Sequence, residues 1–94
     1  YPFARVFSAE EQRCINTFDR DRPQLFAAAL WACKEAAVKA RGTGFTDLAP
    51  LAVTVDLMTR TDKGYLAQVR AETTYLASVQ PHNKLWLAIA CPEP

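Results

Sequence analysis

The stretch LFAAALWACKEAAVKAR, from Leu25 to Arg41, decides the fold. It contains only good or neutral helix formers. Pro23 stands two residues before it, in a position where its missing amide proton is not needed. Gly42 follows it, where a glycine can take up the left-handed turn that closes a helix, and Lys39 and Arg41 sit in the last turn, where cations are favoured. The pattern predicts a helix over 23–41.

Working outward toward the N-terminus, Ser8-Ala9-Glu10-Glu11 is a capping box. The Ser8 hydroxyl can accept from the Glu11 amide while the Glu11 carboxylate reaches back. A helix over about 9–19 follows, with Ile15 and Phe18 facing inward and Cys14 beside them. Tyr1 to Phe7 leads in as an extended arm. Arg20 to Pro23 links the two helices.

Toward the C-terminus the period changes from helical to two. Leu51, Val53, Val55 and Leu57 alternate with Ala52, Thr54, Asp56 and Met58, a strand with its first set inward. Thr61 to Gly64 is a turn, and Tyr65 to Val79 a long strand-like stretch with a bend or split near Glu72. Gln80 to Lys84, with Pro81 and Asn83, reads as another turn, and Leu85 to Ala90 (LWLAIA) as a short buried strand. Short connections between strands imply antiparallel pairing. The expected class is α+β: two helices packed on a small antiparallel sheet of about three strands.

The chain has 94 residues, enough for one small domain over 1–94. It starts at Tyr1 rather than Met and ends CPEP, so it reads as a lobe or segment of something longer. Lys plus Arg is 11 against 10 for Asp plus Glu, a net charge of +1. That argues against a nucleic-acid binder acting through bulk charge. No apolar run exceeds the nine residues of Leu25 to Cys33, too short to span a membrane as a helix. The three cysteines, Cys14, Cys33 and Cys91, form no CxxC pair, which disfavours a disulfide framework or a zinc site and fits a reducing, cytoplasmic compartment.

Lys34, Glu35 and Lys39 are the only concentrated polar group on the second helix. Trp31, Glu35 and Lys39 recur at i, i+4 and i+8, so they share one stripe. Two readings follow. One is a solvated helix face with a Glu35–Lys39 pair worth a few tenths of a kcal/mol. The other is a metal-phosphate site, with Glu35 as a hard oxygen ligand for Mg²⁺ and the lysines meeting phosphate oxygens.

Residues 31–44, WACKEAAVKARGTG, resemble the WxxKEAxxKAxGxG signature of the 4′-phosphopantetheinyl transferases. The lead-in FSAEE at 7–11 resembles the F(T/S)xEE stretch one helix earlier in that family, and LWLAIA its closing strand. Trp31 and the segment Leu48-Ala49-Pro50-Leu51 look more like the two-lobed surfactin-synthetase-activating type than the short trimeric holo-acyl-carrier-protein synthase type.

The resemblance implies one lobe of the phosphopantetheinyl transferase fold. It also implies a reaction that moves the phosphopantetheine arm of coenzyme A onto a serine of an acyl or peptidyl carrier protein, in fatty acid, polyketide or nonribosomal peptide synthesis. By position, Glu35 is then a catalytic Mg²⁺ ligand. Lys39 is a catalytic residue that contacts phosphate and assists removal of the serine proton. Lys34 and Gly44 are further contacts to coenzyme A, and Trp31 braces the site. The family also carries an acidic GxDxE motif on a strand upstream of the capping box, and Tyr1 to Phe7 contains no Asp or Glu. The missing carboxylates imply a second lobe or another copy of the chain. The rival reading is a non-catalytic interaction module of the same fold inside a larger synthase. Exposed apolar edges left by an absent lobe predict self-association or poor solubility.

Other features have plainer accounts. His82 reads as a turn residue, Cys33 as a small core hydrophobe, and Gly42-Thr43-Gly44 as a helix cap and turn. Arg5, Arg20 and Arg22 are scattered surface cations that could meet an acidic carrier protein.

Overall fold

The computed structural model of the chain describes residues 3–18, 23–42, 49–82 and 85–93. Three helices come first: α1, Phe3–Val6; α2, Ala9–Phe18; and α3, Pro23–Arg41. A 3₁₀ turn, Pro50–Ala52, leads into four strands: β1, Thr54–Arg60; β2, Tyr65–Ala71; β3, Thr73–His82; and β4, Leu85–Pro92. The strands form one antiparallel sheet in the order β1-β2-β3-β4. The α+β class and the two long helices are therefore as expected, on a sheet of four strands.

Each helix forms for the reason its sequence suggests. At the start of α2 the Glu11 amide donates to Ser8 Oγ at 3.1 Å and the Ser8 amide donates to Glu11 Oε1 at 2.8 Å. The capping box is made in both directions. At the end of α3 the Gly42 amide donates to the carbonyls of Val38 and Lys39, and Gly42 has φ of 100°, which a side chain would resist.

Four expectations change, and the split expected near Glu72 is made definite. Residues Phe3–Val6 form a helical turn rather than an extended arm. The Tyr65 to Val79 stretch reverses at Glu72, which holds φ of 71°, so it makes β2 and β3, with Ala71 opposite Thr73. In β1 the register shifts between Val55 and Leu57, leaving Asp56 without a counterpart. A bulge of this kind flips the strand's faces. Met58 therefore packs against the core instead of facing out, while Leu51 lies in the 3₁₀ turn with 45% of its surface exposed. Strand β3 runs through His82, so the expected turn at Gln80 shrinks, with Asn83 and Lys84 outside the described residues. Lastly, β4 is an edge strand with one face open rather than a buried one.

The core lies between α3 and one face of the sheet. Phe26, Leu30 and Val38 of α3 meet Val69, Ala77 and Val79 of β2 and β3. Phe26 and Tyr65 stack edge to face at 5.5 Å, and Tyr65 touches Trp86 at 5.8 Å. Ile15 anchors α2 and is 1% exposed, while Cys14 beside it is exposed; the side chain of Phe18 lies outside the described residues. The other face of the sheet is uncovered: Leu66, Leu85, Leu87 and Ile89 all stand in solvent. In the register, Leu66 opposes Ser78 and Ser78 opposes Ile89, so these residues share that bare face.

Candidate functional site

The residues of α3 divide by their angle round the helix. Phe26, Leu30, Cys33, Ala37 and Val38 are buried on the arc that meets the sheet. At 3.6 residues per turn, Glu35 and Lys39 fall on roughly the opposite side. Glu35 is half-buried and Lys39 exposed. One turn apart, they are separated by about 6 Å along the axis. Among the described residues neither side chain has a hydrogen bond or ion pair. The Glu35–Lys39 pair of the plainer reading is thus not formed, and both charges are free to meet a ligand. Trp31, one turn earlier, is half-buried and packs against the core, consistent with a brace.

Lys34 is placed differently from its expected role. Its side chain is 0% exposed, and its ammonium donates to Val6 O at 2.6 Å, Glu11 Oε1 at 2.8 Å and Pro50 O at 3.1 Å. It also lies 5.2 Å from the centre of the Phe7 ring. An ammonium has three donors, and all three are used inside the protein. None is left for a phosphate. Burial pulls the Lys34 pKa down from 10.5, opposed by its hydrogen bond and attraction to Glu11.

Glu11 is the residue whose reach sequence reasoning missed. Besides closing the capping box it holds Lys34 through Oε1, and its Oε2 accepts from the Val55 amide at 2.8 Å. One carboxylate, 4% exposed, thus joins the start of α2, the middle of α3 and the first residues of β1. A signal for its partner was present: Leu30, Lys34 and Val38 recur every fourth residue, placing Lys34 inside the apolar arc.

Gly44, the remaining expected contact, lies outside the described residues, as do Arg20 and Arg22. Arg5 is exposed; the side chain of His82 is not described. Cys33 is fully buried and desolvation pushes its thiol up to about 12, so it is the small core hydrophobe and not a nucleophile. A groove of about 510 Å³ runs between α2, α3 and β1, lined by Glu10, Cys14, Leu30, Asp56 and Arg70. Because Leu30 is on the buried arc, this groove is separate from the Glu35–Lys39 stripe. No helix is long and apolar enough to cross a membrane.

Among the described residues no three of His, Cys, Asp and Glu converge as a metal site. Glu35 fits Mg²⁺ as one ligand: a hard oxygen donor, accessible and unpartnered. Mg²⁺ takes one or two carboxylates and completes its shell with phosphates and water.

A family model described as the 4′-phosphopantetheinyl transferase superfamily matches residues 2–90. No curated protein and no solved structure gave a match.

Proposed function

The chain belongs to the 4′-phosphopantetheinyl transferase superfamily, and on that premise we propose that it is the lobe of a Mg²⁺-dependent transferase that carries the helix-borne half of the reacting site. Its substrates are coenzyme A and a serine of an acyl or peptidyl carrier protein. The observation that carries this reading is the free outward stripe of Glu35 and Lys39, next to a Lys34 whose charge is consumed internally. With no partner among the described residues, both charges can meet a ligand from outside.

In the reaction, the serine Oγ forms a bond to the β-phosphorus of coenzyme A. The bond from that phosphorus to its bridging oxygen breaks, 3′,5′-ADP leaves with the electron pair, and the serine proton passes to water. Negative charge grows on the bridging and non-bridging oxygens. Glu35 would be among the ligands of a Mg²⁺ ion, which when bound would offset that charge. Lys39 donates to a phosphate oxygen as a point charge and orients the pyrophosphate. Lys34 is not among the phosphate contacts in this account.

Glu35 is one carboxylate where a Mg²⁺ centre usually recruits more, and the face of the sheet bearing Leu85, Leu87 and Ile89 is bare. Both features support a second lobe or a second copy of the chain that covers apolar surface and adds oxygen ligands. Trp31 and the Leu48 to Leu51 segment favour the two-lobed subtype. Three free thiols suit the cytoplasm. The rival, a binding module of the same fold, also draws on the single carboxylate.

Titration of coenzyme A against the chain, with and without Mg²⁺, tests the proposal. Lys39→Met is expected to weaken binding about tenfold, the size of one charged contact of about 1.4 kcal/mol, whether or not Mg²⁺ is present. Glu35→Gln is expected to remove the Mg²⁺-dependent part alone. Absence of binding, or binding indifferent to both changes, contradicts it.

A further inference from the structure

We infer that Glu11 and Lys34 are the positioning residues of the Glu35–Lys39 stripe, an inference that rests on that stripe being the reacting surface. Lys34 and Glu35 are neighbours in sequence with opposite fates. One is fully buried with every donor engaged; the other is half-buried, on the side away from the sheet, with no partner among the described residues. The direction of Glu35 is therefore set by whatever holds Lys34.

Packing fixes the rotation of α3 through only three large buried apolar side chains, Phe26, Leu30 and Val38. Much of the arc it presents to the sheet is small: Ala27, Ala29, Cys33 and Ala37 are all buried there. Small side chains make shallow ridges, and shallow ridges define a helix's angle poorly. Hydrogen bonds are directional where dispersion contacts are not. The three bonds of Lys34 run to α1, α2 and the 3₁₀ turn, and Glu11 carries the constraint on to Val55 in β1. A rotation of about 20° would move a group at the side-chain radius of about 5 Å by about 2 Å. Misplacement by about 1 Å can cost a reaction about a hundredfold.

A purely structural role makes a different prediction: stability falls and the kcat of the folded protein does not. The double substitution Glu11→Leu with Lys34→Met separates the two. It frees the Ser8 and Val55 amides and the Val6 and Pro50 carbonyls, so its thermal midpoint is expected to fall. In the folded protein, kcat for transfer falls at least about tenfold and KM for coenzyme A stays within about threefold, the mark of an interaction lost in the transition state. Glu11→Gln, which retains the side-chain shape, serves as a second variant and is expected to move kcat in the same direction should the double variant fail to fold. A reporter that needs no activity accompanies it: Glu35→Cys in a background carrying Cys14→Ser and Cys91→Ser, labelled with a maleimide. With the pair replaced, its labelling rate is expected to change at least about threefold, because opening and orientation of a helix govern access to its thiols. A folded double variant with wild-type kcat, or with an unchanged labelling rate, overturns the inference. If neither the wild-type chain nor its assembled form with a second lobe shows transfer, the functional reading fails on its own, and the reporter still decides whether the pair sets the stripe.

Discussion

The Lys34 ammonium lies 2.8 Å from Glu11 Oε1, with the two side chains 0% and 4% exposed. Two charges taken this far from water are costly unless each is fully satisfied. Both are: no buried side-chain polar atom among the described residues lacks a partner. Removing one partner leaves the other stranded. Lys34→Ala is expected to cost about 3–5 kcal/mol, measured by urea denaturation. The paired change Glu11→Leu with Lys34→Met strands no charge but frees the Ser8 and Val55 amides, and is expected to cost less, about 1–3 kcal/mol. A single substitution as mild as the double would contradict the geometry.

The α3 helix, its two ends and the α2 capping box could be read directly from residues 8–11 and 23–42, because their signals are local. The Glu72 reversal could be anticipated but not fixed, since a single left-handed residue leaves no turn motif. The Asp56 bulge was illegible: Leu51 to Met58 alternates perfectly in sequence, and only pairing with β2 shows which residue is skipped. Glu35 and Lys39 were identified correctly as an outward stripe. Lys34 was assigned to the same site by its position in the family signature; its place in the apolar arc pointed the other way. Its partner Glu11, 23 residues away in sequence, could not be matched to it without the fold.

The cysteines separate by burial. Cys14 and Cys91 are exposed and Cys33 is buried. Maleimide treatment of the folded chain, read by intact mass, is expected to add two labels quickly and a third only in denaturant. Rapid triple labelling would place Cys33 on the surface.

Two groups on α3 make stability depend on pH with opposite signs. The Cys33 thiol titrates at 9.0 when unfolded and at about 12 in the fold. The folded state therefore binds more protons in that window, and stability is lost as pH rises from about 9 toward about 12. The Lys34 pKa is lowered from 10.5, so the unfolded state binds more protons below that value and stability is gained as pH climbs toward it. Cys33→Ala is expected to flatten the alkaline loss in urea denaturation above pH 9. An alkaline loss of full size in that variant would remove Cys33 as its cause.

Glu72 stands at φ of 71°, with its carboxylate paired to Arg41 on the surface. The left-handed conformation costs a non-glycine residue about 1–2 kcal/mol, and an exposed ion pair returns at most about 1 kcal/mol. Glu72→Gly is expected to stabilise the fold by about 0.5–1 kcal/mol. Gly64→Ala should do the reverse, since a Cβ there would sit 2.1 Å from the Val79 carbonyl oxygen. Thermal melts that fail to move in opposite directions would contradict both assignments.

Leu85, Leu87 and Ile89 leave β4 with an open apolar face on an edge strand, and such edges attract partners. Sedimentation of the chain alone is expected to show concentration-dependent association, reduced by Leu87→Lys. A monomer at all concentrations would count against a covering lobe or copy.

The central claim is that the Glu35–Lys39 stripe serves phosphopantetheine transfer. It is tested most directly by the intact mass of an apo carrier protein incubated with this chain, coenzyme A and Mg²⁺, with Glu35→Ala in parallel. The account predicts a gain of one phosphopantetheine, in the chain itself or in its assembled form with a second lobe, and no gain with Glu35→Ala. Equal modification by wild type and variant, or none by the assembled form, would contradict it.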